Sequence, residues 1–310
     1  MDPDRTNDLL KNIANMYTSD KVGPGSDIIN AIRMINGLGG LEGYTNIGYA
    51  DSFFEYWMIP PSISSTRLTR KLVEPILNNN GDANDILVVG CGSGGECVEL
   101  YELTGRRIFA LDTVKSNLIN TEKLLEKHGY QRDVELINGD AEHLPFEDKT
   151  FSAVYCCEAA FHFERKDRFL NECFRILKNS GALLIADIVK NDQKGFSETQ
   201  REILYAYKKM LNAPKFYTKS DYIEQLEKIG FKDISLTDIT SHNLKYMSEG
   251  TPYLNNLVKI LTRLPKLKKM VEDHFKKHNI DFDAFLKGTQ ITYDAFYKSV
   301  SNYIILHARR

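Results

Sequence analysis

The 310-residue chain has no apolar run near the roughly 18 residues that a bilayer-spanning helix takes. Its opening MDPDRTNDLLKN lacks the basic and apolar regions of a secretory leader, which predicts a cytoplasmic protein. An excess of positive charge is also missing: 40 basic against 42 acidic side chains give a net charge of −2. A duplex nucleic acid needs a basic face to neutralise its phosphates, so that class of partner is demoted. Cysteine is sparse and odd in number. Cys91, Cys97, Cys156, Cys157 and Cys173 show neither CxxC spacing nor a paired histidine nearby. That argues against a disulfide framework or structural zinc site and predicts reduced, buried thiols. No internal repeat or low-complexity tract occurs, and His128, His143, His242, His274, His278 and His307 lack ligand spacing, so no metal is expected.

With 42% hydrophobic and 26% charged residues, the chain has the balance of an ordinary globular protein. At roughly 150 residues per domain its length predicts about two domains, or one sheet carrying added helices. Residues 1–80 read as a helical preface. Stretches such as DIINAIRMI and RLTRKLVEPILN are broken by GPG, GLGG and IPPS, and aromatic residues are dense, among them Tyr17, Tyr44, Tyr49, Phe53, Phe54, Tyr56 and Trp57. These aromatics either pack the preface onto a core or line a pocket.

From residue 86 short apolar runs alternate with helical patterns: ILVVG, RIFALD, VELING, FSAVYCC and ALLIADIV, with helices near 95–104, 115–128 and 165–178. Such alternation predicts a parallel sheet covered on both faces. A helix-prone stretch to about 213 follows. Thr218 or Ser220 then caps a helix that Gly230 ends, FKDISLTDI reads as a strand, a helical block covers 251–298, and YIILHA from Tyr303 is a last strand. The basic residues Lys259, Arg263, Lys266, Lys268, Lys269, Lys276 and Lys277 read as a solvated helix face, with an anionic or membrane surface as the other reading.

The strongest chemical signal is the strand Ile86-Leu87-Val88-Val89 running into Gly90-Cys91-Gly92-Ser93-Gly94-Gly95 and a helix. Glycines there let main-chain N–H groups approach a ligand, and the new helix adds its positive end. Gly90, Gly92 and Gly95, with Asp112 17 residues on, also satisfy a dinucleotide fingerprint. Three features break the tie. Asp112 closes the second strand, where its carboxylate can accept from ribose hydroxyls. Asn138-Gly139-Asp140-Ala141-Glu142 closes the third with an acceptor for an adenine amino group, and Leu144-Pro145-Phe146 offers apolar surface to a flat base.

On these residues the chain resembles the class I S-adenosylmethionine-dependent methyltransferases over about 82–190, in VVGCGSGG, the acid of ALD, GDAEHLPFEDKTFSAVY and FLNECFRILKNSGALLIADIV. It is most similar to the small-molecule branch that methylates natural products, sugars and quinols. The resemblance implies a Rossmann-like α/β sheet of seven strands in the order 3-2-1-4-5-7-6 with an antiparallel last strand, N-terminal helices and a helical cap. It implies a preface at 1–80, a cofactor core at 81–190, a cap insertion at 191–229, and last strands at 230–310 interrupted by helices at 251–298. Two departures stand out: Val88 replaces the acid usual two residues before the first loop glycine, and Asn179-Ser180 replaces the proline-glycine of RVLKPGG.

The resemblance also implies roles. Gly90, Cys91, Gly92 and Gly94 face the methionine end of S-adenosylmethionine, Asp112 and Thr113 the ribose, Asp140 and Ala141 the adenine, with Cys157 beside the cofactor. His162 and Asp187 match positions that look toward the acceptor in sugar and polyketide O-methyltransferases, although Phe161 stands where those have a first histidine. Asp187 reads equally as a carboxylate capping the loop after its strand, and His162 as a packed histidine. Glu158 matches the base of methyltransferases that add carbon to prenyl diphosphates. Asn46-Ile47-Gly48-Tyr49 resembles an NxGYW stretch over the active site, so Tyr44, Tyr49, Trp57 and Phe161 are the candidate acceptor contacts. The expected reaction is methyl transfer to a hydroxyl or amine of a small, partly apolar molecule. Carbon methylation, a nicotinamide-dependent oxidoreductase and a non-catalytic S-adenosylmethionine-binding regulator are the other readings.

Overall fold

In the computed structural model the described residues are 61–77, 85–242, 264–277 and 281–310. The first helix, α1 (Pro61–Leu77), comes from the RLTRKLVEPILN pattern, and Leu68, Leu72 and Val73 on it are fully buried. Alternating strands and helices follow: β1 (Ile86–Val89), α2 (Gly95–Thr104), β2 (Ile108–Asp112), α3 (Lys115–His128), β3 (Val134–Asn138) and β4 (Phe151–Cys157). A 3-10 turn, Ala160–His162, leads into α4 (Lys166–Ile176) and β5 (Leu177–Lys190). Then come α5 (Glu198–Met210), α6 (Lys219–Ile229), β6 (Lys232–Asp238), α7 (Pro265–Lys277), α8 (Phe282–Tyr297) and β7 (Ser301–Arg309).

The seven strands form one sheet in the order β3-β2-β1-β4-β5-β7-β6. The pairs from β3 to β5 are parallel, and β7 runs antiparallel to both β5 and β6. Every residue of β1 is buried, as expected for a central parallel strand with helices on both faces. One apolar layer takes in Leu68 of α1, Leu100 of α2, Leu125 of α3, Tyr207 of α5 and Phe296 of α8. The opposite layer holds Phe169, Leu170 and Cys173 of α4 with Tyr222 and Leu226 of α6.

Two local features differ from or sharpen the sequence expectation. The helix expected to 178 stops at Ile176, and β5 begins at Leu177 rather than 182. The pairing slips between Phe151↔Leu177 and Ala153↔Ala182, so Lys178–Gly181 form an outward excursion with Ser180 at φ 63°. A side chain at Gly181 would lie 2.8 Å from the Lys178 carbonyl, so the glycine is needed there although the preceding proline is not. At α6 the expected cap is present in full. The Thr218 hydroxyl accepts from Asp221 N–H, the Asp221 carboxylate accepts from Thr218 N–H, and Gly230 ends the helix at φ 113°.

Candidate functional site

The parallel strands end together at one edge of the sheet, and because β7 is antiparallel, its beginning lies at that same edge. In this sheet type ligands bind outside the carboxyl ends of the strands. The loop after β1 turns through left-handed Gly90 (φ 72°), Gly92 (φ 55°) and Gly94 (φ 87°). A Cβ at Gly90 would sit 2.4 Å from Ala159 Cβ, and one at Gly94 2.6 Å from Thr121 Cγ2. The loop is therefore packed directly against the end of β4 on one side and against α3 on the other.

Asp112 fixes this loop from the end of β2. One of its carboxylate oxygens accepts from Gly92 N–H at 3.0 Å and Asn117 Nδ2 at 3.2 Å; the other accepts from Val114 N–H at 2.8 Å. Thr113 beside it is exposed, and the Asn138 amide binds both the Asp112 and Thr113 carbonyls. Asp140, half-buried, accepts from Glu142 N–H at 2.9 Å and meets His143 Nδ1 at 3.0 Å. Ala141 and Leu144 next to it are buried. Burial pushes the Cys157 thiol up, and a hydrogen bond with Cys97 together with burial pushes up that of Cys91. Both thiols stay protonated and act as packing groups. All five cysteines are free and buried.

After β4 the chain passes through Glu158 at φ 49°, an unusual conformation for a residue with a side chain. Its N–H donates to the Ala186 carbonyl at 2.8 Å, and its carboxylate receives the Tyr303 hydroxyl at 2.5 Å. Tyr303 is fully buried, and its N–H donates to Thr240 Oγ1 at 2.8 Å. Phe161 is buried against Phe216, with ring centroids 6.4 Å apart. His162 is also buried, and the main chain of Asn212 hydrogen-bonds its ring. Burial, then the charge of Lys166, lowers its pKa to about 3, so the imidazole is neutral throughout the physiological range.

Asp187, within β5 three residues before its end, is fully buried; one oxygen accepts from Phe161 N–H at 3.1 Å and the other from the Tyr222 hydroxyl at 2.6 Å. Burial raises its pKa to about 6 against the pull of Lys166 and these donors. Its contacts are those of a carboxylate that caps the turn after β4. The loop glycines, Asp112, Glu158, Phe161, His162 and Asp187 thus gather at one sheet edge, with Asp140 and Ala141 after β3. Tyr44, Tyr49 and Trp57 lie outside the described residues. Sequence reading missed Tyr303, Tyr222 and Lys166. Tyr303 was within reach, since an antiparallel β7 brings the start of YIILHA to the edge where β4 and β5 end.

Residues 87–185 match the family model described as "Methyltransferase domain". Over that stretch, about a third of the chain, the protein is similar to methyltransferase domains. The sterol 24-C-methyltransferase of Schizosaccharomyces pombe is 31% identical over 159 residues, 51% of this chain and 42% of that protein. Methyltransferase GfsG of Streptomyces halstedii is 26% identical over 192 residues, 60% of this chain and 68% of its own length. The chain spans about half the length of the sterol methyltransferases it matches, 42% and 51% of the first two. A solved geranyl diphosphate C-methyltransferase from Streptomyces coelicolor shares the fold, with TM-score 0.70 over 97% of this chain and 98% of that one at 13% identity.

Methyltransferase domains of this class use S-adenosylmethionine, and the residues present fit it. Ser93 Oγ, in the glycine loop at the start of α2, is buried without a hydrogen-bond partner in the protein. A polar atom of this kind beside a helix N-terminus suits a carboxylate such as the methionine tail. Among the described residues no cluster of histidine, cysteine or carboxylates could hold a metal ion, and no helix is long and apolar enough to cross a membrane.

Proposed function

We propose that this protein transfers the methyl group of S-adenosylmethionine to a double-bond carbon of a small, apolar, isoprenoid-like acceptor. The observation that carries the reading is Glu158: a half-buried carboxylate at the end of β4, next to Ala159, which touches the glycine loop, and held by the Tyr303 hydroxyl at 2.5 Å. When bound, S-adenosylmethionine would supply an electrophilic methyl on a sulfonium, the pair of the broken S–CH3 bond staying on sulfur as the neutral thioether S-adenosylhomocysteine. The acceptor's π pair forms the new C–CH3 bond and leaves a cation on the neighbouring carbon. Glu158 then takes a proton from the next carbon, whose C–H pair restores a double bond, and the proton passes to solvent.

The apolar surroundings of Tyr303 suit such an acceptor. Phe161, Tyr207, Met210, Phe216 and Phe296 belong to one apolar cluster with Tyr303. Relatives named for sterol 24-C-methylation and a structural neighbour named for geranyl diphosphate C-methylation support the same chemistry. Methyl transfer to a hydroxyl, with His162 as base, is the second reading, favoured by its place on the turn facing this cluster. A base with a pKa of about 3 is poorly matched to an alcohol or phenol at neutral pH.

The test is turnover of methyl-labelled S-adenosylmethionine with parallel panels of isoprenoid alkenes, phenols and amines, with the labelled position located by NMR. The proposal predicts label on an alkene-derived carbon. Label on oxygen or nitrogen, with the alkene panel inert, would refute it.

A further inference from the structure

Lys166 is the first residue of α4, yet its side chain is only 1% exposed. Two forces oppose a lysine there. A buried ammonium loses its hydration, and the first turn of a helix carries the positive end of the dipole. Three carbonyls offset them. Nζ donates to Lys215 O at 2.6 Å, Phe163 O at 3.1 Å and Phe161 O at 3.5 Å, and lies 5.5 Å from the centre of the Tyr217 ring. The first carbonyl belongs to the segment between α5 and α6, and the other two to the turn that bears His162. Asp187 holds the same turn from β5 through Phe161 N–H.

We propose that Lys166 is a positioning residue, whose Nζ, donating to carbonyls on both sides, ties the turn 159–163 to the cap segment 211–217 beside the Asn212–His162 hydrogen bond and so helps hold Phe161 against Phe216 over the end of β4. The inference rests on the reading of that turn as the acceptor side of the site. The bridge lets α4 of the core, beside the Lys190 N–H of β5 that donates to Tyr217 O at 2.8 Å, set the position of a cap segment that shares no strand with it.

Linkage gives the bridge a pH signature. Facing Lys166 are Asp187 of β5, Glu142 of the loop after β3, Lys215 of the cap segment, Lys208 of α5 and His162 of the turn. Burial lowers the pKa of Lys166 to about 8, whereas an ammonium released to water holds its proton to higher pH. Opening is therefore helped by protonation, and becomes rarer as pH rises through 8.

Hydrogen exchange on the full chain, corrected for intrinsic rates, tests this without an acceptor. In the wild type, amides 161–163 and 211–213 should exchange through one shared opening, with rates that agree within about two-fold and slow as pH is raised from 7.5 to 9.5. In Lys166→Met both segments should exchange at least about tenfold faster and lose that pH dependence, while affinity for S-adenosylhomocysteine stays within about two-fold. Exchange in Lys166→Met equal to wild type, or wild-type segments that open independently by more than about tenfold, would overturn the proposal. Should Lys166→Met not fold, the wild-type comparison of the two segments decides. Failure of carbon methylation would leave these exchange results untouched, so the two readings fail separately.

Discussion

His162 and Asp187 are both buried at the site and respond to protons in opposite senses. The pKa of His162 is lowered to about 3, so its contribution to stability is present above its unfolded value near 6.5 and lost as pH falls toward 3. That of Asp187 is raised to about 6, so its contribution is present below an unfolded value near 3.9 and lost as pH rises through 6. Between pH 6 and 4.5 each amounts to about 2 kcal/mol at 1.36 kcal/mol per unit, and the two nearly cancel. Urea unfolding across this window should give a shallow wild-type dependence, a steeper acid loss in Asp187→Asn, and a gain toward acid in His162→Gln. Matching slopes in all three proteins would show that burial does not shift the two groups in these opposite senses. Nothing in the sequence separates these roles: ALLIADIV and AAFHF identify a carboxylate and an imidazole, but their basicity depends on Tyr222, Lys166 and Asn212, which reach them from other elements.

At the scale of elements, periodicity carried most of the fold. The pattern at 115–128 became α3 with the same bounds, and ILVV and FSAVYCC became β1 and β4. The start of β5 was not legible, because KNSG reads as the end of a helix until its excursion is paired with Phe151 and Ala153. Lys166 was equally hidden, since a lysine in the helical pattern RKDRFLNECFRIL reads as a solvated charge. The glycine loop is the element on which the site depends most. Gly90→Ala places a Cβ 2.4 Å from Ala159 Cβ on a backbone at φ 72°. It should lower unfolding stability by about 1 to 3 kcal/mol and weaken S-adenosylmethionine binding in calorimetry. Full retention of both would mean that the contact between the loop and the β4 end is not rigid.

At the scale of the whole molecule, one reversed strand assembles the site. Glu158 comes from the middle of the chain and Tyr303 from its end; they meet because β7 runs antiparallel beside β5. The near-neutral net charge and the aromatic cluster around Tyr303 agree with the proposed apolar acceptor rather than a polyanion on an open face. The sequence pointed to His162 as proton acceptor with Glu158 as the alternative; the proposed carbon methylation gives that role to Glu158, and burial lowers the His162 pKa to about 3. With the acceptor from the labelled screen in hand, the most direct measurement is kcat for Glu158→Gln and His162→Gln beside wild type. The predicted result is a fall of about 10² to 10⁴-fold in Glu158→Gln, the usual worth of a positioned base, and less than about tenfold in His162→Gln. A large loss in His162→Gln with Glu158→Gln near wild type would contradict the account.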